Sequence, residues 1–176
     1  MAMTVQDDPP ARQELDDDTI AFAGRMFSAA RAGDTDLLGP LLDSGLPPNL
    51  RNDKGDTLLM LAAYHQHEDT VRRLLQAGAD PEIFNDRNQT PLAGAAFKGA
   101  LPVIRLLLEH GAAVDGAGSD GRTALMLAAM FNRVEIVELL LEHGADPARQ
   151  DAGGLTAQDA AERMGAADTA RLLSLL

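Results

Sequence analysis

Several residue types are scarce or missing in this chain. It has no cysteine and no tryptophan, and aromatics make up 3% of its 176 residues. Without cysteine there are no disulfides, thiolate nucleophiles or cysteine metal sites. With so few aromatics, the core must be built from Ala, Leu, Val and Ile, which suits closely packed helices. Lysine is nearly absent: two residues against 13 arginines, a usage that points to a high-GC bacterial genome. Positive charge is in deficit overall, with 15 Lys and Arg against 27 Asp and Glu, a net charge of −12. Such a chain is a poor match for nucleic-acid phosphates or anionic lipid, and its net charge favours encounter with a basic partner. No apolar run reaches the roughly 18 residues of a membrane span. The first residues, MAMTVQDDPPARQELDDD, have neither a signal-peptide apolar core nor a twin arginine. A cytoplasmic protein is the expectation.

The dominant positive feature is a repeat. Shifted by 33 residues, the sequence matches itself: Thr57, Thr90, Thr123 and Thr156 fall in register. So do Leu59, Leu92 and Leu125, and the pairs Ala62-Ala63, Ala95-Ala96 and Ala128-Ala129. In the second half of each unit, Leu74-Leu75, Leu107-Leu108 and Leu140-Leu141 align, followed by Gly78, Gly111 and Gly144. One period earlier, Ala29-Ala30, Leu41-Leu42 and Gly45 hold the same places. Frames therefore begin at 24, 57, 90, 123 and 156 without an insertion. A fixed period of this length marks stacked supersecondary units.

Each unit reads as helix, turn, helix and a long loop. Thr opens the first helix, and Pro91 stands in a first turn, where its missing N–H is harmless. Leu59, Ala62 and Ala63 make an i, i+3, i+4 inner face whose small residues let neighbouring helices approach. Val71, Leu74 and Leu75 do the same on the second helix. That helix ends at Gly78, Gly111 or Gly144, each placed for a left-handed residue after the cap. The loops carry turn chemistry at their tips, Asn52-Asp53-Lys54-Gly55 and Ser119-Asp120-Gly121. Asn88 replaces the tip glycine in the copy between them and tolerates positive φ.

These residues resemble the ankyrin-repeat family. Its pattern T-P-L-H-x-A-A…I-V-x-L-L-L-x-x-G-A-D is seen as Thr90-Pro91-Leu92-Ala93-Gly94-Ala95-Ala96…Val103-Ile104-Arg105-Leu106-Leu107-Leu108-Glu109-His110-Gly111-Ala112. The resemblance covers residues 24–176. It implies an all-α solenoid of about five repeats: 57–89, 90–122 and 123–155 between capping repeats at 16–56 and 156–176, with residues 1–15 as a disordered acidic tail. Met60, Ala93 and Met126 stand where the family has a histidine that ties neighbouring loops together, so these loops lose that tie. At the ends, Asp18 is the expected N-cap of the first helix, with Ile20, Phe27 and Ala30 at helical spacing. Glu162, Arg163 and Asp168 give the last unit the polar outer face a terminal repeat needs.

No catalytic set, cofactor motif or metal site emerges. His110 and His143 occupy identical Glu-His-Gly contexts at second-helix ends, where such side chains serve the free carbonyls. His65 and His67 are two apart and on a helix would face different sides, ruling out chelation in the i, i+4 manner. The remaining signal is an aromatic column. The position after each alanine pair reads Arg31, Tyr64, Phe97, Met130 and Arg163, and the next reads Ala32, His65, Lys98, Phe131 and Met164. The resemblance implies that these positions and the hairpin tips line a concave groove where partner proteins bind. By register the tips supply Arg51, Asp53, Lys54, Asp56, Phe84, Asp86, Arg87, Gln89, Ser119, Asp120 and Arg122. Two readings of the stripe stay open: packing across repeats, or an anchor for a partner with a polar rim. The implied function is protein–protein recognition by a non-enzymatic monomer without cofactor, nucleic acid or membrane. The alternative is a protective accessory or immunity-type protein binding a stress enzyme or a basic toxin.

Overall fold

The computed structural model describes residues 16–176, so the expected acidic tail at 1–15 lies outside the described residues. Ten helices make up the described chain. Five form an inner row: α1 (Asp17–Ala32), α3 (Leu58–Tyr64), α5 (Pro91–Lys98), α7 (Ala124–Met130) and α9 (Ala157–Met164). Five form an outer row: α2 (Thr35–Asp43), α4 (Glu68–Gln76), α6 (Leu101–Glu109), α8 (Val134–Glu142) and α10 (Ala167–Leu173). Each inner helix packs on the next inner helix and on the outer helix of its own unit. The architecture is an all-α repeat solenoid.

The recurring threonines set where the inner helices begin. Thr57, Thr90, Thr123 and Thr156 are N-caps, each hydroxyl accepting from the backbone N–H three residues on, at 3.1–3.3 Å. Capping of this kind satisfies a helix-start donor that has no intrahelical partner. The alanine pairs are fully buried between inner helices, and Leu74, Leu107 and Leu140 are equally buried beneath the outer ones. One continuous core runs from Met26 to Leu173.

In α9 the cap is reciprocal. Asp159 accepts from the Thr156 N–H at 2.9 Å and from its hydroxyl at 2.8 Å. The backbone bond and then the hydroxyl bond to Thr156 hold the Asp159 carboxyl below its usual pKa. The unfolded chain has the ordinary value, so this contribution is fully present above that value and is lost as pH falls through the depressed one. Asp159→Asn is therefore expected to flatten the acid limb of the stability–pH curve, read from urea midpoints between neutral and acid pH. Equal acid losses in both proteins would contradict it.

The outer helices close on glycines. Gly78, Gly111 and Gly144 have φ of 86°, 85° and 86°. A Cβ at Gly111 would meet nothing within 4 Å, so the demand there is conformational rather than steric. Gly111→Val is expected to destabilise the fold by about 2 kcal/mol, the order of cost for a non-glycine residue held left-handed. That corresponds to a melting temperature about 4–8 °C lower, measured by circular dichroism. An unchanged melting temperature would place the helix end elsewhere.

Three expectations need correction. The N-cap of α1 is Asp16, not Asp18: its carboxylate accepts from the Thr19 N–H at 2.6 Å. Three consecutive aspartates share the same capping chemistry, and this choice leaves Asp17 and Asp18 in the first turn, where carboxylates favour the helix dipole. Ile20 is exposed, whereas Phe27 and Ala30 are buried as the spacing required. His65 and His67 do not face different sides. α3 ends at Tyr64, Gln66 turns the chain at φ 66°, and the two rings stack with centroids 6.4 Å apart.

The hairpin loops are tied together despite the missing family histidine. The Asp86 N–H donates to the Lys54 carbonyl at 3.1 Å, and the Ala152 N–H to the Asp120 carbonyl at 2.8 Å. Asn52, Asn85 and Asp151 each accept from the N–H groups two and four residues on, bracing their own hairpins. In the hairpin before α7 the same place is Gly118. A Cβ there would lie 2.5 Å from the Asn88 carbonyl oxygen, so close backbone approach excludes any side chain.

Candidate functional site

The aromatic column is assembled by the ends of the inner helices. Tyr64 closes α3 and Phe97 stands one residue from the end of α5. Their rings are stacked, 6.1 Å apart with an interplanar angle of 13°. α7 ends a residue sooner than α5, which makes Phe131 its C-cap. Phe131 meets the Phe97 ring edge-on at 5.0 Å. On the other side His65 meets Tyr64 edge-on at 5.5 Å and stacks on His67. His67, Tyr64 and Phe97 are half-buried, while His65 and Phe131 are exposed. Such offset and edge-to-face pairs are favourable arrangements of ring quadrupoles.

Met130 leaves this row. It lines a separate cleft of about 130 Å³ with Met126, Leu155, Ala160 and Met164, bordered by Arg122, Asp151 and Arg163. Phe97 and Met130 both pack against the core while keeping part of their surface open. The residues of the stripe thus share in packing and still present an apolar ridge.

Two cations lie against the Tyr64 end of the ridge. The Lys98 ammonium lies 5.0 Å from the centre of the Tyr64 ring and the Arg87 guanidinium 5.9 Å from it, within cation–π range. His67 contacts the Arg31 carbonyl through Nε2 at 2.8 Å, fixing the turn after α3 against α1. His65 is exposed overall, but partial desolvation of its ring by its neighbours lowers its pKa, and the adjacent His67, Lys98 and Arg31 lower it further.

The hairpin residues divide. Asp53, Lys54, Asp86 and Ser119 are exposed at the tips, with Arg87 and Arg122 beside them. Arg51 is exposed but committed: its guanidinium donates to the Gly55 and Phe84 carbonyls at 3.2 Å. Phe84 is 41% exposed and takes no part in the ring row. Asp120 is half-buried, and Arg122 lies 3.9 Å from both Asp120 and Asp151. Gln89 is half-buried, with Oε1 unpartnered among the described residues.

Asp56 does not belong to the exposed rim. It is 4% exposed, accepts from the Asn85 side-chain amide at 2.7 Å, and lies 3.7 Å from the Arg87 guanidinium. Its register position placed it at a tip, but the next hairpin folds over it. Asp56→Ala leaves the buried Asn85 amide without its acceptor and is expected to cost about 1–3 kcal/mol. Calorimetry would show the lower melting temperature; an unchanged value would return Asp56 to the surface.

His110 and His143 sit as expected: each Nδ1 contacts the carbonyl one turn back, Leu106 at 2.9 Å and Leu139 at 2.8 Å. Among the described residues no group of three or more His, Asp or Glu can hold a metal ion, and no helix is long and apolar enough to cross a membrane. Sequence reasoning missed Asn85, whose buried side chain joins two hairpins. The recurrence of Asn52, Asn85 and Asp151 at the repeat period was its available signal.

Comparison with known proteins agrees with this architecture. A family model of ankyrin repeats in three copies matches residues 26–117, and a single ankyrin repeat matches residues 120–152. An ankyrin repeat protein of Pseudomonas aeruginosa is 59% identical over 61 residues, which are 35% of this chain and 36% of that protein. The chain thus covers about a third of the length of this curated relative.

Proposed function

Because the chain belongs to the ankyrin-repeat family, we propose that it is a non-catalytic recognition module that holds a partner protein in the groove between its inner helices and hairpin tips. Ankyrin repeats mediate protein–protein interaction. In this reading, three full repeats at 57–89, 90–122 and 123–155, with capping repeats on either side, present the groove as a monomer in the cytoplasm.

One observation carries the proposal: the row Tyr64, Phe97 and Phe131 is held ring on ring yet left partly open, with Lys98 and Arg87 against it. Aromatic anchors seated on a firm support and rimmed by polar groups are the usual form of an interface hot spot. A preformed surface of this kind loses little side-chain freedom on binding.

Site-specific photo-crosslinking tests the assignment. A photoreactive phenylalanine analogue at position 131 is expected to trap a partner protein in source cells. The same analogue at Arg105, exposed on the outer helix α6, is expected to trap none. Trapping from position 105 alone would move the interface to the outer helices.

A further inference from the structure

We infer that the partner segment held in this groove is acidic: an extended stretch with Asp or Glu side chains set against the groove cations and one apolar side chain in the methionine cleft. This rests on the groove reading above. It runs against the net charge, which taken alone favours a basic partner.

The decisive feature is where the charges lie. The two positions that close each inner helix contain Arg31, Lys98 and Arg163 and no carboxylate, in a chain with 27 Asp and Glu against 15 Lys and Arg. The outer helices expose Glu68, Glu109, Glu135, Glu138 and Glu142, interspersed with the exposed Arg72 and Arg105. Carboxylates do border the groove on the hairpin side: Asp53 and Asp86 are exposed there without an ion-pair partner among the described residues, while others are engaged. Asp56 is buried against Asn85, and Asp120 and Asp151 share Arg122. Among the described residues, Arg31, Lys54 and Lys98 have no carboxylate partner, as is also true of Arg72 and Arg105 on the outer helices.

Crowding like charges on one face is unfavourable unless an anion relieves it. At His65 partial desolvation comes first in opposing protonation, and His67, Lys98 and Arg31 add to it. The cleft beside Met130 is bordered by Arg163 and by Arg122, which is already shared by Asp120 and Asp151, so an apolar residue entering it would bring its acidic neighbours to Arg163.

A peptide segment fits these features better than a nucleic acid. The net charge of −12 repels a long polyanion, whereas a short acidic stretch meets only the cationic patch. Base stacking needs open aromatic faces, and those of Tyr64 are approached by Phe97, Lys98 and Arg87.

The test is a selection of random short peptides displayed against the full chain. The binders are then measured by fluorescence anisotropy against wild type, Lys98→Glu/Arg163→Glu and Tyr64→Ala/Phe97→Ala. Lys98 and Arg163 are both exposed, so reversing them leaves the core intact, which circular dichroism checks. Expected are peptides enriched in Asp and Glu beside Leu, Met or Phe, binding the charge-reversed variant about tenfold or more weakly and weakening with added salt. Neutral or basic peptides that still require Tyr64 and Phe97 would overturn the acidic assignment and leave the groove reading standing. Peptides indifferent to both variants, or an empty selection, would overturn the groove reading as well. Displacement of the peptides by an oligothymidine would assign the cations to nucleic acid instead.

Discussion

Replacing Tyr64 and Phe97 together by alanine is expected to weaken partner binding about a hundredfold or more, since buried aromatic anchors are each worth about 2 kcal/mol or more. The helical circular dichroism is expected to persist. Both residues lie at the solvent-facing ends of their helices, while the alanine pairs and leucines beneath them remain fully buried. Some stability is lost, because the two rings stack on each other and Phe97 packs on the core. Phe131→Ala separates the two effects. Phe131 is 37% exposed and ends the row, so its removal costs little stability yet takes away one of the anchors. If the single variant binds like wild type and the double variant unfolds, the row is structural.

The largest stability effect is expected at Leu107. It lies fully buried in α6, the outer helix of the middle unit. Leu107→Ala removes apolar surface and leaves a cavity, a change that costs about 3 kcal/mol in well-packed cores. In a chain of this length that is a melting temperature about 6–12 °C lower. A solenoid is held by contacts between neighbouring repeats, so damage in the middle loosens both halves. Leu173→Ala, in the terminal helix α10, has neighbours on one side only and is expected to cost less. Equal losses at the two sites, measured by urea unfolding, would contradict this account of the stack.

The sequence reading succeeded where one local interaction decides the outcome. A threonine before an apolar run can cap a helix only there, and all four recurring threonines do so. The glycines after the outer helices are left-handed for the same local reason. The turns inside each unit follow a column that went unread: Gly33, Gln66, Gly99, Asn132 and Gly165 all have positive φ. Gln66 hid it, because glutamine is not a usual left-handed residue.

Reading failed where a side chain answers to a neighbouring repeat. Asp56 looks like a loop-tip acid until the Asn85 amide reaches it from the next hairpin, 29 residues on. His65 and His67 appear on opposite faces only while the helix is assumed to continue past Tyr64. The same limit applies to charge. A net value describes the whole chain, but a partner meets one face. Here the face carrying the aromatic ridge also carries Arg31, Lys98 and Arg163, and no carboxylate stands at the two positions that close each inner helix.

The central claim is that the ridge formed by Tyr64, Phe97 and Phe131 holds a partner protein. Affinity capture from source cells tests it most directly, with wild type beside a folded Tyr64→Ala/Phe97→Ala/Phe131→Ala variant and captured proteins identified by mass spectrometry. The account predicts a protein held by the wild type and lost by the variant. The same protein captured equally by both would contradict it and place recognition on another face of the molecule.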